Sequence, residues 1–449
     1  MFITFCDCVI VKRLGMKEKE NKRKEMIVIK IKILDTYKGL PKNMYILFVA
    51  TVINRFGEFV LPFLTMYLTI KIGLSFGQVG IIVTIASLIG IPSSMISGKL
   101  ADEFGRKKTY LIAQSGAAIC LIPCAFIKDP RAVVVLILLS TFFGGAVRAP
   151  IQAIITDILP PHQRQQGNSL QYIGINLGVA IGPIVAGFLF NNFLPMLFIG
   201  DALTSFIAIF LIWKNIKEVK TEHIHKTVYT EKEKVEKGNV FTVLKKRPEI
   251  IMFLTVYILY SFVYTQHRFS LPLTADAVFG KAGAGYFGIL MSVNAVTVLV
   301  FTVGVTAMTK HLKPLVNITI AGLTYAVGFG MLSFINTFPL FILSTVIWTL
   351  GEILVVTNFG VYLADNSPSN FRARFSAIGS LSWSIGAACG TSMAGKFIQE
   401  AGIQYIWMLV FVLSLLATAG MFTIYMRGKK KEVDEGIETV CTQYAEGES

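Results

Sequence analysis

The chain has 449 residues, of which 54% are hydrophobic and only 15% charged, and its formal net charge is +15. Soluble domains carry about 25% charged residues, so this composition excludes a large water-soluble protein. The basic excess sits in short segments between long apolar stretches, which argues against a nucleic-acid partner and for a polytopic membrane chain.

Residues 1–42, rich in Lys and Glu, read as an N-terminal cytoplasmic segment. Their short apolar run precedes the basic cluster instead of following it, unlike a secretory signal, and Met16 and Met26 leave a later start open. Cys6 and Cys8 form a C-x-C with no second pair at metal-ligand spacing. Beyond them, apolar stretches near the ~20 residues needed to cross a bilayer as a helix recur along the chain. They begin near Asn43, Gly77, Thr109, Ala132, Asn168, Pro195, Glu249, Gly283, Pro314, Phe338, Ser376 and Ile403. The expected fold is therefore all-α with twelve transmembrane helices. Residues 43–213 form one six-helix bundle, 214–248 a charged cytoplasmic loop, 249–426 a second bundle and 427–449 a cytoplasmic tail. His223 and His225 in the loop read as solvated, and Cys120, Cys124 and Cys389 in apolar spans as structural.

Twelve passes put both termini on one side, which holds 34 of the 42 Lys and Arg. The other side holds only Lys71, Lys128, Arg131, Lys281 and Lys396. The positive-inside rule makes the first side cytoplasmic.

The chain also repeats itself. "TDILPPHQR" near the end of span four matches "ADNSPSNFR" near the end of span ten, and a shift of 208 residues carries Asp157 to Asp365, Pro160 to Pro368 and Arg164 to Arg372. The same shift carries Gly178, Gly182 and Gly187 to Gly386, Gly390 and Gly395, and Gly77 and Gly80 to Gly285 and Gly288. Pro62 and Pro272 correspond at a shift of 210. An ordered series at nearly one offset indicates two halves related by duplication, the plan of many secondary transporters with a site near the bilayer midplane.

"SGKLADEFGRKKTYL", from Ser97, interrupts the apolar sequence between spans two and three. Gly98 and Gly105 permit a tight reversal, Arg106 to Lys108 hold the loop in the cytosol, and Asp102 can accept hydrogen bonds or face a helix N-terminus. These residues resemble the G-x-L-A-D-x-x-G-R-K motif of the major facilitator superfamily. That resemblance implies a latch between the halves that stabilises the outward-open state, a topogenic turn being the plainer alternative. In span five, "GINLGVAIGPIVAG" sets Gly174, Gly178, Gly182, Pro183 and Gly187 close to one helical face. It resembles the helix-five motif of proton-coupled drug antiporters, with Ala186 in place of one glycine, and helix packing alone is the other reading of its role. Thr391 replaces the proline in the second copy, Lys310 stands where Asp102 would recur, and Arg148 follows Gly144 and Gly145 where the family's helix-four arginine precedes a glycine. "NRFGEFVLPFLTMYL" and "GPIVAGFLFNNFLPMLFIGDALTSF" look most like bacterial multidrug exporters of the twelve-helix drug:proton antiporter branch.

An ionisable group in hydrocarbon costs at least ~2.5 kcal/mol, so each one inside a span is a functional candidate. Span one carries Asn54, Arg55 and Glu58, with Arg55 and Glu58 at an i,i+3 spacing that brings them together on a helix. Span four carries Arg148, span six Asp201, span seven His267 and Arg268, and span ten Glu352. The resemblance implies that helices one, four, seven and ten line the cavity. Glu58, Glu352 and Asp201 are the proton-coupling candidates; a structural ion pair is the alternative for Glu58 and an interfacial position for Asp201. Asn54, Arg55, Arg148, Tyr264, Arg268 and Trp383 are the substrate-cavity candidates. Tyr257, Tyr260 and Tyr264 recur at helical spacing, suited to stacking on an aromatic substrate or to packing.

There is no G-x-x-x-x-G-K-[ST] run for ATP, no metal cluster and no nucleophile–base arrangement, so the chain is expected to be a transporter and not an enzyme. The leading expectation is a monomeric cytoplasmic-membrane exporter that exchanges protons for amphipathic, drug-like compounds, needs no cofactor and draws on the proton gradient. A proton symporter of a small organic anion or peptide is the rival, motivated by Arg55, Arg148 and Arg268; a non-transporting sensor on the same scaffold is a third reading.

Overall fold

The computed structural model describes residues 37–218, 240–368 and 371–447. The N-terminal tail with Cys6 and Cys8, and most of the charged loop with His223 and His225, lie outside the described residues.

Helices form twelve passes. Span one runs Lys42–Phe56 and Val60–Met66 and continues as a π-helical turn to Lys71. Spans two to six are Phe76–Phe104, Arg106–Leu121, Pro130–Ile158, Arg164–Asn192 and Leu194–Asn215. Spans seven to twelve are Pro248–Phe279, Gly283–Thr309, Pro314–Ser333, Phe338–Asn366, Arg372–Ala401 and Ile403–Lys430. Among the described residues, nine helical stretches are long and apolar enough to cross a membrane, and one of them, Pro248–Thr309, contains spans seven and eight back to back. Spans three and eleven are not among them, and each buries a polar side chain, Gln114 and Ser382.

Local chemistry starts the helices where lipid offers no partner for free backbone donors. Ser75 Oγ accepts from the Gln78 N–H at 3.3 Å while Gln78 Oε1 accepts from the Ser75 N–H at 3.0 Å, a capping box at the head of span two. Asp129 Oδ2 accepts from the Ala132 N–H at 2.9 Å at the head of span four, and Pro130 occupies the first helical position.

Glycines decide which helices touch. In span five, a Cβ added at Gly178 would lie 2.6 Å from Arg55 Cβ and 2.7 Å from Phe56 N, and one at Gly182 would lie 2.3 Å from Phe56 O. Gly187 in the same helix instead faces span eight, its Cβ position 2.7 Å from Ala284 O. Span eleven repeats this division: Gly386 meets Ile258 O and Gly390 meets Phe262 of span seven, while Gly395 meets Phe76 O of span two. The residues matched by the 208-residue shift thus make corresponding contacts in two pseudo-symmetric bundles. The fold is that expected, twelve passes in two six-helix halves.

Among the described residues, hydrogen bonds join the halves at one end. Hydrogen bonds between them run from Thr65 to Arg268 O, Gly77 N to Gln399, Thr84 to Ala388 O and Asn191 to Lys281 O, all towards the end away from the termini. Gly288, on span eight, fits against Pro183 O at that same end. Towards the terminal end, Met95 on span two and Leu381 on span eleven are exposed, and among the described residues no hydrogen bond joins the halves there.

Overpacking a glycine-to-backbone contact costs about 1–3 kcal/mol. Gly178→Val and Gly386→Val are each expected to lower the thermal unfolding midpoint in detergent. Gly98→Ala should leave it unchanged, because its new carbon would sit 3.7 Å from Ala149 Cβ, an ordinary contact. Equal midpoints for all three variants would remove the glycines from the packing role.

Candidate functional site

The i,i+3 pairing of Arg55 and Glu58 is present, Arg55 Nη1 donating to Glu58 Oε2, but not on a continuous helix. Span one breaks between Phe56 and Val60, and Glu58 stands in the break. The break forms where span one crosses span six: a Cβ at Gly57 would lie 1.7 Å from Thr204 Oγ1. Breaking the helix frees backbone donors, and Asp201 of span six supplies the acceptor. Its Oδ2 accepts from the Phe59 and Val60 N–H groups, each at 3.1 Å. Asp201 is therefore buried against backbone within the first half, not at an interface with water. Asn54 also turns inward, its Nδ2 donating to Ser205 Oγ at 3.2 Å, where Gln114 Nε2 donates as well.

Arg55 and Glu58 side chains keep 37% and 25% of their surface exposed, which in the middle of a bundle means that they border the space between the halves. Arg148 enters this space from span four, next to the helix irregularity at Val147, and Arg268 enters from span seven; both are exposed. Glu58 lies in the field of Arg55, Arg268 and Arg148. Neither Arg148 nor Arg268 has a carboxylate in salt-bridge contact among the described residues. Arg268 Nε donates to His267 Nε2 at 3.2 Å, which leaves the His267 Nδ1–H to donate to Tyr264 O at 2.5 Å. His267 is buried inside span seven.

The second half contributes a carboxylate in different company. Glu352 Oε2 accepts from Asn294 Nδ2 at 2.7 Å, and the same amide donates to Thr349 Oγ1 at 3.0 Å. Tyr264 and Arg268 share its surroundings, and its charge also reaches Tyr172 on span five of the other half. An aromatic wall continues from there. The Tyr264 ring centre is 5.5 Å from Trp383 and 6.2 Å from Trp348, and Tyr257 stacks on Phe359 at 4.1 Å. Tyr260 is core instead, its hydroxyl donating to Ile318 O at 2.8 Å.

The structure therefore brings Arg55, Glu58, Arg148, Arg268, Glu352, Tyr264 and Trp383 to one space and leaves Asn54 and Asp201 behind its wall. Asn294 and Tyr172 belong to the site but are not among the sequence-derived candidates. An asparagine inside the apolar run of span eight was the available signal for the first; a tyrosine two residues before the glycine series gave none for the second. Chemically, Glu352 can take up a proton without breaking an ion pair, whereas Glu58 must first release Arg55. No group of three or more His, Cys, Asp or Glu able to hold a metal occurs among the described residues.

The charged motif lies at the terminal end, and it departs from expectation in one respect. Gly98 is inside span two, so the chain reverses at Gly105 alone, whose φ of 104° is disfavoured for side-chain-bearing residues. Arg106 Nη1 donates to Asp157 Oδ1 of span four. Glu218, just past span six, accepts from the Lys107 and Lys108 N–H groups at 3.0 and 3.1 Å and caps span three. Asp102 is exposed and makes no hydrogen bond or ion pair among the described residues.

The sequence profile of the Major Facilitator Superfamily matches residues 47–388. The chain is 22% identical over 383 residues to the MFS-type transporter YttB of Bacillus subtilis (strain 168), covering 85% of this chain and 94% of that one. It is 23% identical over 396 residues to a Na(+), Li(+), K(+)/H(+) antiporter of Planococcus maritimus, covering 78% and 91%. The crystal structure of the nucleoside transporter NupG superposes with a TM-score of 0.70 at 14% identity, covering 86% of this chain and 99% of that one. The chain belongs to the Major Facilitator Superfamily and is a membrane transporter, not an enzyme.

Proposed function

We propose that the chain is a proton-driven antiporter of the cytoplasmic membrane that exports amphipathic, drug-like compounds by alternating access. The observation that carries this reading is Glu352, a mid-span carboxylate held by Asn294, beside an aromatic wall and with no cation in salt-bridge contact among the described residues. Antiport requires proton and substrate to compete, and one carboxylate next to aromatic faces can bind either a proton or the polar end of an amphipathic molecule. The named activity of the Planococcus maritimus relative, exchange against protons, supports the same direction of coupling. The Lys and Arg bias puts both termini in the cytoplasm. In that orientation the arrangement, closed at the far end and parted at the terminal end, is inward-facing. Asp102 is then free because the span it would meet in the other half approaches only when the terminal end closes. Gly98, Asp102, Gly105 and Arg106 act together as the latch of that closure. The cavity is built within one chain, so a monomer suffices. Energy comes from the proton gradient without a cofactor.

A second reading rests on a separate observation: three guanidinium groups face two carboxylates, and Arg148 and Arg268 lack a carboxylate contact among the described residues. A small organic anion would satisfy them, and proton and anion binding would then reinforce each other, giving symport.

Proteoliposomes with an imposed pH gradient separate the two. A lipophilic cationic dye is expected to drive protons in the opposite direction, and Glu352→Gln to reduce that coupled flux to background; parental flux in this variant sinks the antiport reading. If an aromatic carboxylate such as benzoate instead moves with protons, Arg148→Gln should raise its KM about tenfold or more, in line with a charged hydrogen bond worth about 1.5–3 kcal/mol. For orientation, Asp102→Cys in a cysteine-free background should react with an impermeant thiol reagent only after cells are permeabilised.

A further inference from the structure

We infer that Asp201 is a positioning residue that pins the break in span one and so sets where Arg55 and Glu58 stand in the cavity; it is not itself a proton carrier. This deepens the transport reading above and rests on it for its functional consequence only.

A helix interrupted at mid-depth has to satisfy its freed donors inside the protein. At this break the local residue cannot do so: Phe59, which starts the second segment of span one, offers no side-chain acceptor. The Phe59 N–H is shared between Gly57 O at 2.7 Å and Asp201 Oδ2 at 3.1 Å, whereas the Val60 N–H goes to Asp201 Oδ2. One carboxylate oxygen from another helix thus replaces a missing N-cap. Asp201 is held from its own side by span six, which meets span one at Gly57 and Thr204, so the acceptor and the break are fixed relative to each other.

The geometry separates Asp201 from the cavity acids. It is buried, whereas the Glu58 side chain keeps 25% of its surface exposed, and the charged and titratable groups around it are Arg55 and Glu58 on span one, with Tyr110 of span three beyond Arg55. Glu58 lies one residue before the first amide that Asp201 holds. Loosening the second segment of span one therefore moves Glu58 relative to Arg148 and Arg268 without changing any of these residues. Because a single oxygen receives both N–H groups, an amide oxygen can replace it.

The test compares Asp201→Asn with Asp201→Ala in the full-length chain, by amide hydrogen exchange over Phe59 and Val60 in detergent and by the pH profile of proton-coupled transport in proteoliposomes. Asp201→Asn should keep both the slow exchange and the parental pH profile. Asp201→Ala should exchange faster by about tenfold or more at Val60, shift the pH profile and lose on the order of 10²-fold in transport rate, the scale of a misplaced functional group. Unchanged exchange in Asp201→Ala overturns the pin. Loss of proton coupling in Asp201→Asn makes Asp201 a carrier and overturns the inference even if Asp201→Ala does not fold. The exchange measurement needs no transport, so failure of the transport reading leaves a distinct signature: normal behaviour of the amides in a chain that moves no protons.

Discussion

Close backbone approach at glycine is the constraint on which the rest of this structure depends. Lipid gives helices no hydrophobic reason to associate, so contact area and backbone proximity must hold the bundle. Gly178 and Gly182 bring span five onto span one, and Gly187 and Gly288 bring spans five and eight together across the halves. Spans eleven, seven and two repeat the arrangement through Gly386, Gly390 and Gly395. The same two helices, five and eleven, therefore build their own bundles and close the far end of the molecule. Their glycines leave no room for side chains at the contact, and this brings Arg55 and Tyr264, each on a neighbour of those helices, to the edge of the central space.

Charge is distributed unevenly across that space. The first half brings Arg55, Glu58 and Arg148, and the second brings Arg268 and Glu352, so the two carboxylates stand in opposite halves with unequal partners. Glu58 is committed to Arg55, while Glu352 is held by the neutral Asn294. Arg268 acts on both carboxylates and, through its backbone oxygen, accepts from Thr65 at the closed end. A change in charge at either acid is thereby felt at a residue that also joins the halves. In the proposed antiport cycle this would link occupancy to shape.

At the terminal end, a single glycine turn and two acidic residues organise the charged segment. Arg106 is engaged by Asp157 and the head of span three is capped by Glu218, so the motif is tied to spans four and six within the first half. Asp102 is exposed and has no partner among the described residues. The segment is thus tied to its own bundle, and a contact of Asp102 with the other half belongs to the proposed latch alone.

Much of the architecture was determined by sequence alone. Span length, the Lys and Arg bias and the 208-residue repeat follow from solvation and duplication, which act on every residue locally, and they define twelve passes in two halves. The presence of ionisable residues in spans one, four, six, seven and ten was equally legible, since each stands out against apolar neighbours. Their partners were not. Only the tertiary structure decided that Asp201 serves backbone N–H groups, that span one breaks at Gly57, that Gly98 lies within a helix while Gly105 makes the turn, and that Asn294 holds Glu352. Each of these depends on which helix another helix meets and at what depth. Periodicity along one chain segment carries no record of that, because the contacts join residues such as Glu58 and Arg268, or Gly187 and Ala284, that are far apart in sequence.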